Sequence, residues 1–195
     1  MSDKLYLDAQ ELLEDSFRLA AEVYHSGFKP TFIVAVWRGG APIGIAVQEY
    51  FAYQGVKTNH IAIRTSAYTG IDERSRRVAV YGLSYLIKNL TEADNLLVVD
   101  DVFDTGHTIK AIIDEIRHKL RRNTPGDIRV AVPYYKPARN QTDLAPDYFL
   151  HETTRWLKYP YSLEGLTHEE IQTYRPEIWQ IIGKHLTNRP NLKYG

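Results

Sequence analysis

The sequence predicts an α/β fold built on a doubly wound parallel sheet. Short apolar runs without polar alternation, such as 31–36 and 96–99, are typical of strands that are buried on both faces. These runs alternate along the chain with amphipathic segments of helical period, such as 109–120. Strands that alternate with helices favour parallel pairing, with the connecting helices packed on both faces of the sheet.

Each predicted element has a local reason in the sequence. Asp8 and Glu11 have the spacing of a helix cap ahead of an apolar face, and Pro30 ends that helix. Pro42 suits the first turn of a second helix. In chain order, the predicted elements are a helix from Asp8 to about His25, a strand over 31–36, a helix over 42–53, a strand over 60–64, a short strand over 78–81, the central strand over 96–100, a helix over 109–120, a strand over 127–132 that ends at Pro133, and a short strand over 148–151.

Two segments differ from this regular alternation. Residues 66–77 are polar and charged, which predicts a flexible loop at about 66–80. From residue 153 onward aromatic residues cluster, and Thr167 and Glu170 form a second helix cap. Pro176 interrupts or restarts that helix before 178–185, and the tail after Thr187 is expected to fray. We therefore expect one domain, with a core over 1–152 and a small C-terminal segment with a helical extension over 153–195.

Composition excludes several classes of function. Lysine plus arginine equals aspartate plus glutamate at 24 each, so there is no basic excess of the kind that nucleic-acid or anionic-membrane binding usually requires. The chain has no cysteine, which excludes a disulfide scaffold, a thiol nucleophile and a thiolate metal site. Because no apolar run has membrane-span length and the amino terminus lacks a signal-peptide pattern, a cytoplasmic protein is expected.

The most informative stretch is 96–108, where the central strand runs into polar residues. Asp100 and Asp101 end the strand, and the turn Asp104–Thr108 leads into the next helix. Open α/β sheets bind ligands at the carboxyl ends of their strands, and a strand-to-helix turn offers backbone amides and a helix dipole to a phosphate. Because two carboxylates would repel a bare phosphate, Asp100 and Asp101 are better suited to sugar hydroxyls or hydrated magnesium.

This combination resembles the signature of the type I phosphoribosyltransferases, over roughly residues 30–162. The resemblance is closest to the purine (hypoxanthine/xanthine–guanine) phosphoribosyltransferases, and it implies that the aromatic segment after 153 is the family's small C-terminal hood segment. It implies phosphoribosyl pyrophosphate as a substrate, with Asp100 and Asp101 on the ribose hydroxyls and on Mg²⁺. The implied contacts of the same substrate also include the pyrophosphate loop Arg38, Gly39 and Gly40, the flexible-loop residues Ser66 and Tyr68, and the 5′-phosphate turn Thr105, Gly106, His107 and Thr108.

Two features of that resemblance rest on less specific motifs. The family's pyrophosphate loop commonly holds a cis peptide bond, which would fall at Trp37–Arg38 here, although the residues alone also fit a simple strand-to-helix turn. Arg74, Arg76 and Arg77 would neutralise pyrophosphate, although such arginines are as often part of a solvated loop.

The base site is implied by a second group of residues. In the purine enzymes a lysine in an x-Lys-Pro-x context donates to the 6-oxygen of the base, and this lysine is Lys136 here. The implied stacking residue and ring-edge reader are Trp156 and Leu157. Asp104 is the implied acid/base group for the ring proton, and Arg38 is implied to assist catalysis on the leaving group. A helix N-cap remains an alternative role for Asp104.

The resemblance thus implies an enzyme that transfers phosphoribosyl from phosphoribosyl pyrophosphate to a 6-oxopurine, with Mg²⁺ as cofactor, in a homodimer or homotetramer. The alternatives are a regulatory nucleotide binder of the same fold and the same chemistry on another base. Lys158 and Ser162 depart from the bacterial xanthine–guanine pattern, which has acidic residues near these positions, and Lys158 suggests a preference for the anionic base xanthine.

Overall fold

The structure is a computed structural model that describes residues 3–69 and 76–184. Its strands are β1 Lys4–Tyr6, β2 Phe32–Trp37, β3 Asn59–Thr69, β4 Arg76–Tyr81, β5 Asn95–Val99, β6 Val102–Phe103, β7 Asp127–Tyr135, β8 Tyr148–Glu152 and β9 Trp156–Lys158. Its helices are α1 Ala9–His25, α2 Gly40–Tyr53, α3 Ser84–Asn89, α4 His107–Leu120, α5 His168–Tyr174 and α6 Pro176–Ile182. None of the helices in the described ranges combines the length and apolarity that crossing a bilayer requires.

The central sheet is mostly parallel, as the sequence predicts. Its strand order is β4-β3-β2-β5-β7. The short strand β6 pairs with β7 beyond the end of β5, and β8 also pairs with β7. All pairs are parallel except β3 with β4, which is antiparallel at the edge. The central strand β5 is buried on both faces, since Leu96, Leu97, Val98 and Val99 are fully buried.

Helices cover both faces of this sheet. On one face, alternate residues of β2 and β5 such as Val34 and Val98 join a core with Ile112 and Ile116 of α4. On the other face, Ala35 of β2 lies against Gly44 of α2, where an added Cβ would sit 2.6 Å from the Ala35 Cβ. The alternation of strand side chains between the two helical layers is what makes the sheet doubly wound.

Strands occupy the described ends of the segment predicted as a flexible loop at about 66–80, and the predicted strand over 78–81 lies within β4. Strand β3 continues to Thr69, and Ser66–Thr69 pair with Arg76–Ala79 of β4 in an antiparallel register. Gly70 and Arg74 lie outside the described residues. The structure therefore places a two-stranded extension where a loop was expected.

Several element boundaries also differ from the predictions. Strand β7 runs through Pro133 to Tyr135, because its neighbour changes there: β5 pairs as far as Ala131, and β6 begins opposite Tyr134. A proline without an amide hydrogen is tolerated at such a break in the ladder. The short elements β1, β6, β9 and α3 were not predicted, since each has six residues or fewer and no clear periodicity.

The chain divides into two compact units, residues 10–154 and, among the described residues, 3–9 with 155–184. The first, the core unit, holds the central sheet. In the second, the terminal unit, β1 pairs in parallel with β9, with Leu5 opposite Leu157. The predicted cap of the following helix is confirmed, because Thr167 and Glu170 form a reciprocal capping box at the start of α5.

Candidate active site

Three adjacent strands of the core unit end in the residues that the sequence marks as functional. Arg38–Gly40 follow β2, Asp100 and Asp101 follow β5, and Lys136 follows β7. Because the strands are parallel neighbours, these residues share the carboxyl edge of the sheet, the position where open α/β sheets bind ligands.

The glycines of the first loop lie against the acidic pair. A Cβ added to Gly39 would fall 1.8 Å from Asp101 Oδ2, and one added to Gly40 would fall 2.6 Å from the Val99 carbonyl oxygen. Only glycine allows this close approach, so the two loops form one surface. The peptide bond between Trp37 and Arg38 is cis, which confirms the expectation from the resemblance.

The acidic pair is held in an unfavourable electrostatic environment. Asp100 is 8% exposed, and its Oδ1 accepts a hydrogen bond of 2.9 Å from the Asp101 backbone amide. Burial raises the pKa of Asp100 well above its ordinary value, and the charge of Asp101 raises it further. Burial also raises the pKa of Asp101, to about 6. Such a pair is suited to bind a cation or a set of hydroxyl donors that would relieve the repulsion.

The turn after β6 forms a small cavity between the acidic pair and α4. The cavity has a volume of about 180 Å³ and is lined by residues 100–106 with Thr108 and Ile109. Gly106 has a φ of 82°, which a side chain would strain, and α4 begins directly after it at His107. The cavity therefore lies at a helix N-terminus, a favourable position for an anion.

A segment that the sequence did not single out forms the outer wall of this turn. The Gln141 amide donates to the Thr105 carbonyl at 3.0 Å, and the Gln141 side-chain oxygen lies 3.0 Å from His107 Nε2. A Cβ on Gly106 would come within 2.3 Å of Thr142 Oγ1. No motif marks these residues, because their role depends on contacts between segments 34–36 residues apart in sequence.

Asp104 lies between two cationic side chains. Lys136 Nζ is 3.5 Å from Asp104 Oδ2, and Arg139 Nε is 2.7 Å from Oδ1. The Lys136 backbone amide donates to the Phe103 carbonyl at 2.9 Å, which fixes the lysine beside the turn. The structure thus brings two sequence-predicted residues together and adds Arg139, which was not predicted.

The donor set at the acidic pair is compatible with magnesium bound together with a ligand. Among the described residues, no group of three or more His, Cys, Asp or Glu side chains is arranged to hold a metal. Magnesium, however, keeps several waters and is commonly bound by one or two carboxylates together with substrate oxygens. Asp100 and Asp101 fit that second pattern.

The predicted flexible-loop residues lie on the edge hairpin. Ser66 pairs with Ala79, and Tyr68 pairs with Arg77, in the β3–β4 register. Arg76 is the partner of Thr69.

The predicted base-site residues Trp156 and Leu157 belong to the terminal unit. Trp156 is 49% exposed at the start of β9, and its amide donates to the Asp3 carbonyl at 2.9 Å. Leu157 is buried in this unit. The Lys158 ammonium group donates to the Glu164 carbonyl at 3.2 Å, so it holds the following loop.

Strand β1 is fixed to α5 by a polar cluster in the same unit. Glu170 pairs with the Lys4 ammonium and accepts a hydrogen bond of 2.8 Å from the Tyr6 hydroxyl. The Lys4 contact, followed by the Thr167 amide, lowers the pKa of Glu170 to about 2. Burial, followed by the Glu170 hydrogen bond, raises the pKa of Tyr6 to about 12.

The fold and this edge define an α/β protein in which a glycine loop, an acidic pair and a strand-to-helix turn lie at the carboxyl edge of the sheet. A family model described as the phosphoribosyl transferase domain matches residues 3–168. The chain therefore belongs to the phosphoribosyl transferase domain family, and it is a transferase enzyme of that family.

Solved structures of low sequence identity share this fold. The purine phosphoribosyltransferase from Pyrococcus horikoshii Ot3 is 24% identical with a TM-score of 0.68, and the match covers 85% of this chain and 98% of that one. The Helicobacter pylori xanthine-guanine-hypoxanthine phosphoribosyltransferase is 17% identical with a TM-score of 0.65, covering 83% and 95%. A hypothetical protein from Neisseria gonorrhoeae with bound ppGpp is 20% identical with a TM-score of 0.70, covering 84% and 92%. No curated protein matches the sequence.

Proposed function

We propose that the protein transfers a phosphoribosyl group from phosphoribosyl pyrophosphate to a 6-oxopurine, releasing pyrophosphate and a nucleoside monophosphate. The observation that carries the proposal is the convergence of Arg38–Gly40, Asp100–Asp101 and Lys136 on one sheet edge in a member of this family. These residues supply a loop for an anionic leaving group, an acidic pair for ribose hydroxyls, and a cationic donor for a base.

Each residue has a distinct part in the proposed reaction. Asp100 and Asp101 orient the ribose, and the backbone of Thr105–Thr108 holds the 5′-phosphate at the start of α4. The guanidinium of Arg38 and the amides of Gly39 and Gly40 stabilise the charge that develops on the departing pyrophosphate.

Base recognition is the second part of the proposal. Lys136 donates to the 6-oxygen, which favours hypoxanthine, guanine or xanthine over the 6-amino group of adenine. Asp104 accepts the ring proton that the purine loses as its nitrogen bonds to the sugar. The roles of Trp156 in stacking and of Leu157 at the ring edge rest on the sequence resemblance.

Magnesium completes the proposed site. Asp100 and Asp101 would hold it together with oxygens of phosphoribosyl pyrophosphate, and the ion, when bound, neutralises charge on the leaving group. Phosphoribosyl pyrophosphate and a purine base are the proposed partners. A homodimer or homotetramer is the proposed assembly, and sedimentation equilibrium would test it.

The test is pyrophosphate release with hypoxanthine, guanine, xanthine and adenine offered separately. We expect release with at least one 6-oxopurine and none with adenine. A Lys136→Gln variant should lose most of its kcat/KM for the preferred base, because the donor to the 6-oxygen is gone. Lys119→Gln is the control, since Lys119 is an exposed lysine at the far end of α4 that pairs with Glu115 at 3.1 Å. Release with adenine and with none of the three 6-oxopurines would overturn the proposal. The absence of release with all four bases would overturn it as well.

A regulatory nucleotide binder is the second candidate. The similar Neisseria gonorrhoeae protein with bound ppGpp favours this reading over other classes. Binding of ppGpp without turnover of any base would support it, and calorimetric titration would measure that binding.

A further inference from the structure

Arg139 lies beside the carboxylate that the proposed reaction uses as its proton acceptor. We propose that Arg139 is a positioning residue for Asp104, which it holds in place between itself and Lys136. This inference rests on the proposed function and assigns a part in it to a residue outside the recognised motifs.

The contact geometry indicates that Arg139 forms an ion pair with one oxygen of the Asp104 carboxylate, Oδ1. Arg139 Nε lies 2.7 Å from Asp104 Oδ1, whereas Lys136 Nζ lies 3.5 Å from Oδ2. Oδ1 is buried, and no donor within the described ranges is aligned to give it a hydrogen bond. The guanidinium therefore attracts Oδ1 as an ion pair and leaves the lone pairs of this oxygen unused by any aligned donor.

The backbone around Arg139 is fixed relative to the turn that carries Asp104. Residues 137–139 form a single 3-10 turn, in which the Arg139 amide donates to the Lys136 carbonyl at 3.0 Å. Two residues later the Gln141 amide donates to the Thr105 carbonyl at 3.0 Å. Arg139 is thus anchored on both sides, so its side chain approaches Asp104 from a defined direction.

Asp104 lies near two cationic side chains, so the removal of Arg139 would also change the position of Lys136. Without Arg139, Asp104 would have Lys136 as its single described cationic neighbour, and the pair would draw closer than 3.5 Å. That movement would shift the Asp104 carboxylate away from the ring nitrogen of the bound purine. It would also shift the Lys136 ammonium away from the 6-oxygen of the purine. A displacement of about 1 Å in such a group costs about 100-fold in rate.

A double-mutant cycle tests whether Arg139 acts through Asp104. The variants are Arg139→Gln, Asp104→Asn and the pair together, with Arg139→Lys as the conservative substitution. Asp143→Asn is the matched control in the same segment, because the Asp143 side chain is 80% exposed and lies 3.8 Å from Lys110. Steady-state kcat, KM for phosphoribosyl pyrophosphate and the melting temperature are measured for each.

We expect Arg139→Gln to lower kcat about 10- to 100-fold while KM for phosphoribosyl pyrophosphate changes less than about 3-fold. Arg139→Lys should recover most of the loss, since an ammonium can pair with Oδ1. In the Asp104→Asn background, adding Arg139→Gln should lower kcat by less than about 2-fold, because the carboxylate that Arg139 positions is absent. Asp143→Asn should match the wild-type enzyme.

Three results would overturn the inference: unchanged kcat in Arg139→Gln, an equal loss in both backgrounds, or a loss explained by a lowered melting temperature and not recovered by lysine. If the wild-type protein turns over no base, the proposed function fails, and the same cycle is then measured on guanosine monophosphate affinity. Non-additive affinities would still support the positioning of Asp104 by Arg139. Additive affinities, or no binding at all, would overturn it.

Discussion

Asp100 and Asp101 carry a cost to the fold at neutral pH, because both carboxyl groups are buried next to each other. Two carboxylates side by side in a buried edge resist ionisation, and the pKa of Asp101 is raised from 3.8 to about 6. A carboxyl group whose pKa is higher in the folded than in the unfolded chain favours folding in acid. Its contribution is complete below about pH 4 and is lost as the pH rises through about 6.

Asp101→Asn should therefore stabilise the protein more at pH 8 than at pH 4. We expect the difference in unfolding free energy between variant and wild type to grow by up to about 3 kcal/mol across this range, since each pKa unit corresponds to about 1.4 kcal/mol. Urea unfolding in EDTA, without phosphoribosyl pyrophosphate, measures it. Asp143→Asn, which changes an exposed carboxylate, is the control, and a difference that shrinks toward pH 8 would contradict the prediction.

At the residue scale, sequence patterns located the parts of the site that lie at strand ends. The acidic pair and the Arg38–Gly40 loop follow apolar runs directly, so their positions on the sheet edge follow from parallel pairing. Arg139 and Gln141 could not be found in this way. Their contacts with Asp104 and Thr105 arise only when β7 brings its following segment beside the turn after β6.

At the scale of elements, burial explains which strands could be predicted. Strand β5 is apolar throughout and was expected almost to the residue. The hairpin of β3 and β4 extends past the sheet into polar sequence, where Ser66, Tyr68 and Arg77 carry no apolar alternation. Such edge pairing is favoured by backbone hydrogen bonds and cross-strand contacts, which leave a weak trace in sequence.

The link between β1 and α5 should respond to acid. The pKa of Glu170 is lowered from 4.5 to about 2, so its pairing contributes stability above about pH 4.5 that is lost as the pH falls through about 2. Glu170→Gln should be less stable than wild type at pH 6, and the two should converge near pH 2. Urea unfolding followed by tryptophan emission at each pH measures this.

Glu169→Gln provides the comparison for that experiment, because Glu169 is the exposed neighbour on the same helical turn. It should retain the wild-type pH dependence. A gap between Glu170→Gln and wild type that persists unchanged at pH 2 would show that the carboxylate of Glu170 is not the group responsible.

For the whole molecule, ligand binding should appear as added stability that requires both components of the proposed substrate complex. Asp100 and Asp101 alone offer magnesium few ligands, so we expect magnesium without phosphoribosyl pyrophosphate to leave the melting temperature nearly unchanged. Both together, at about 100 times Kd, should add about 2.7 kcal/mol, or about 5–10 °C for a chain of this size. Scanning calorimetry measures the shift, and an equal shift with magnesium alone would contradict the prediction.

The parallel pairing of β1 with β9 also sets an order of events during synthesis. Lys4 of β1 lies opposite Trp156 of β9, so β1 can pair only after about 150 further residues have been synthesised. At ribosomal speeds of about 5–20 residues per second, that interval is on the order of 10 s. The central strands of the core unit pair sooner, since Phe32 of β2 lies opposite Leu96 of β5, although the contact of Asp15 with His151 also spans most of that unit. Over that interval β1 has no strand partner, and its short length and its lysine are features that disfavour pairing with the edge of another chain.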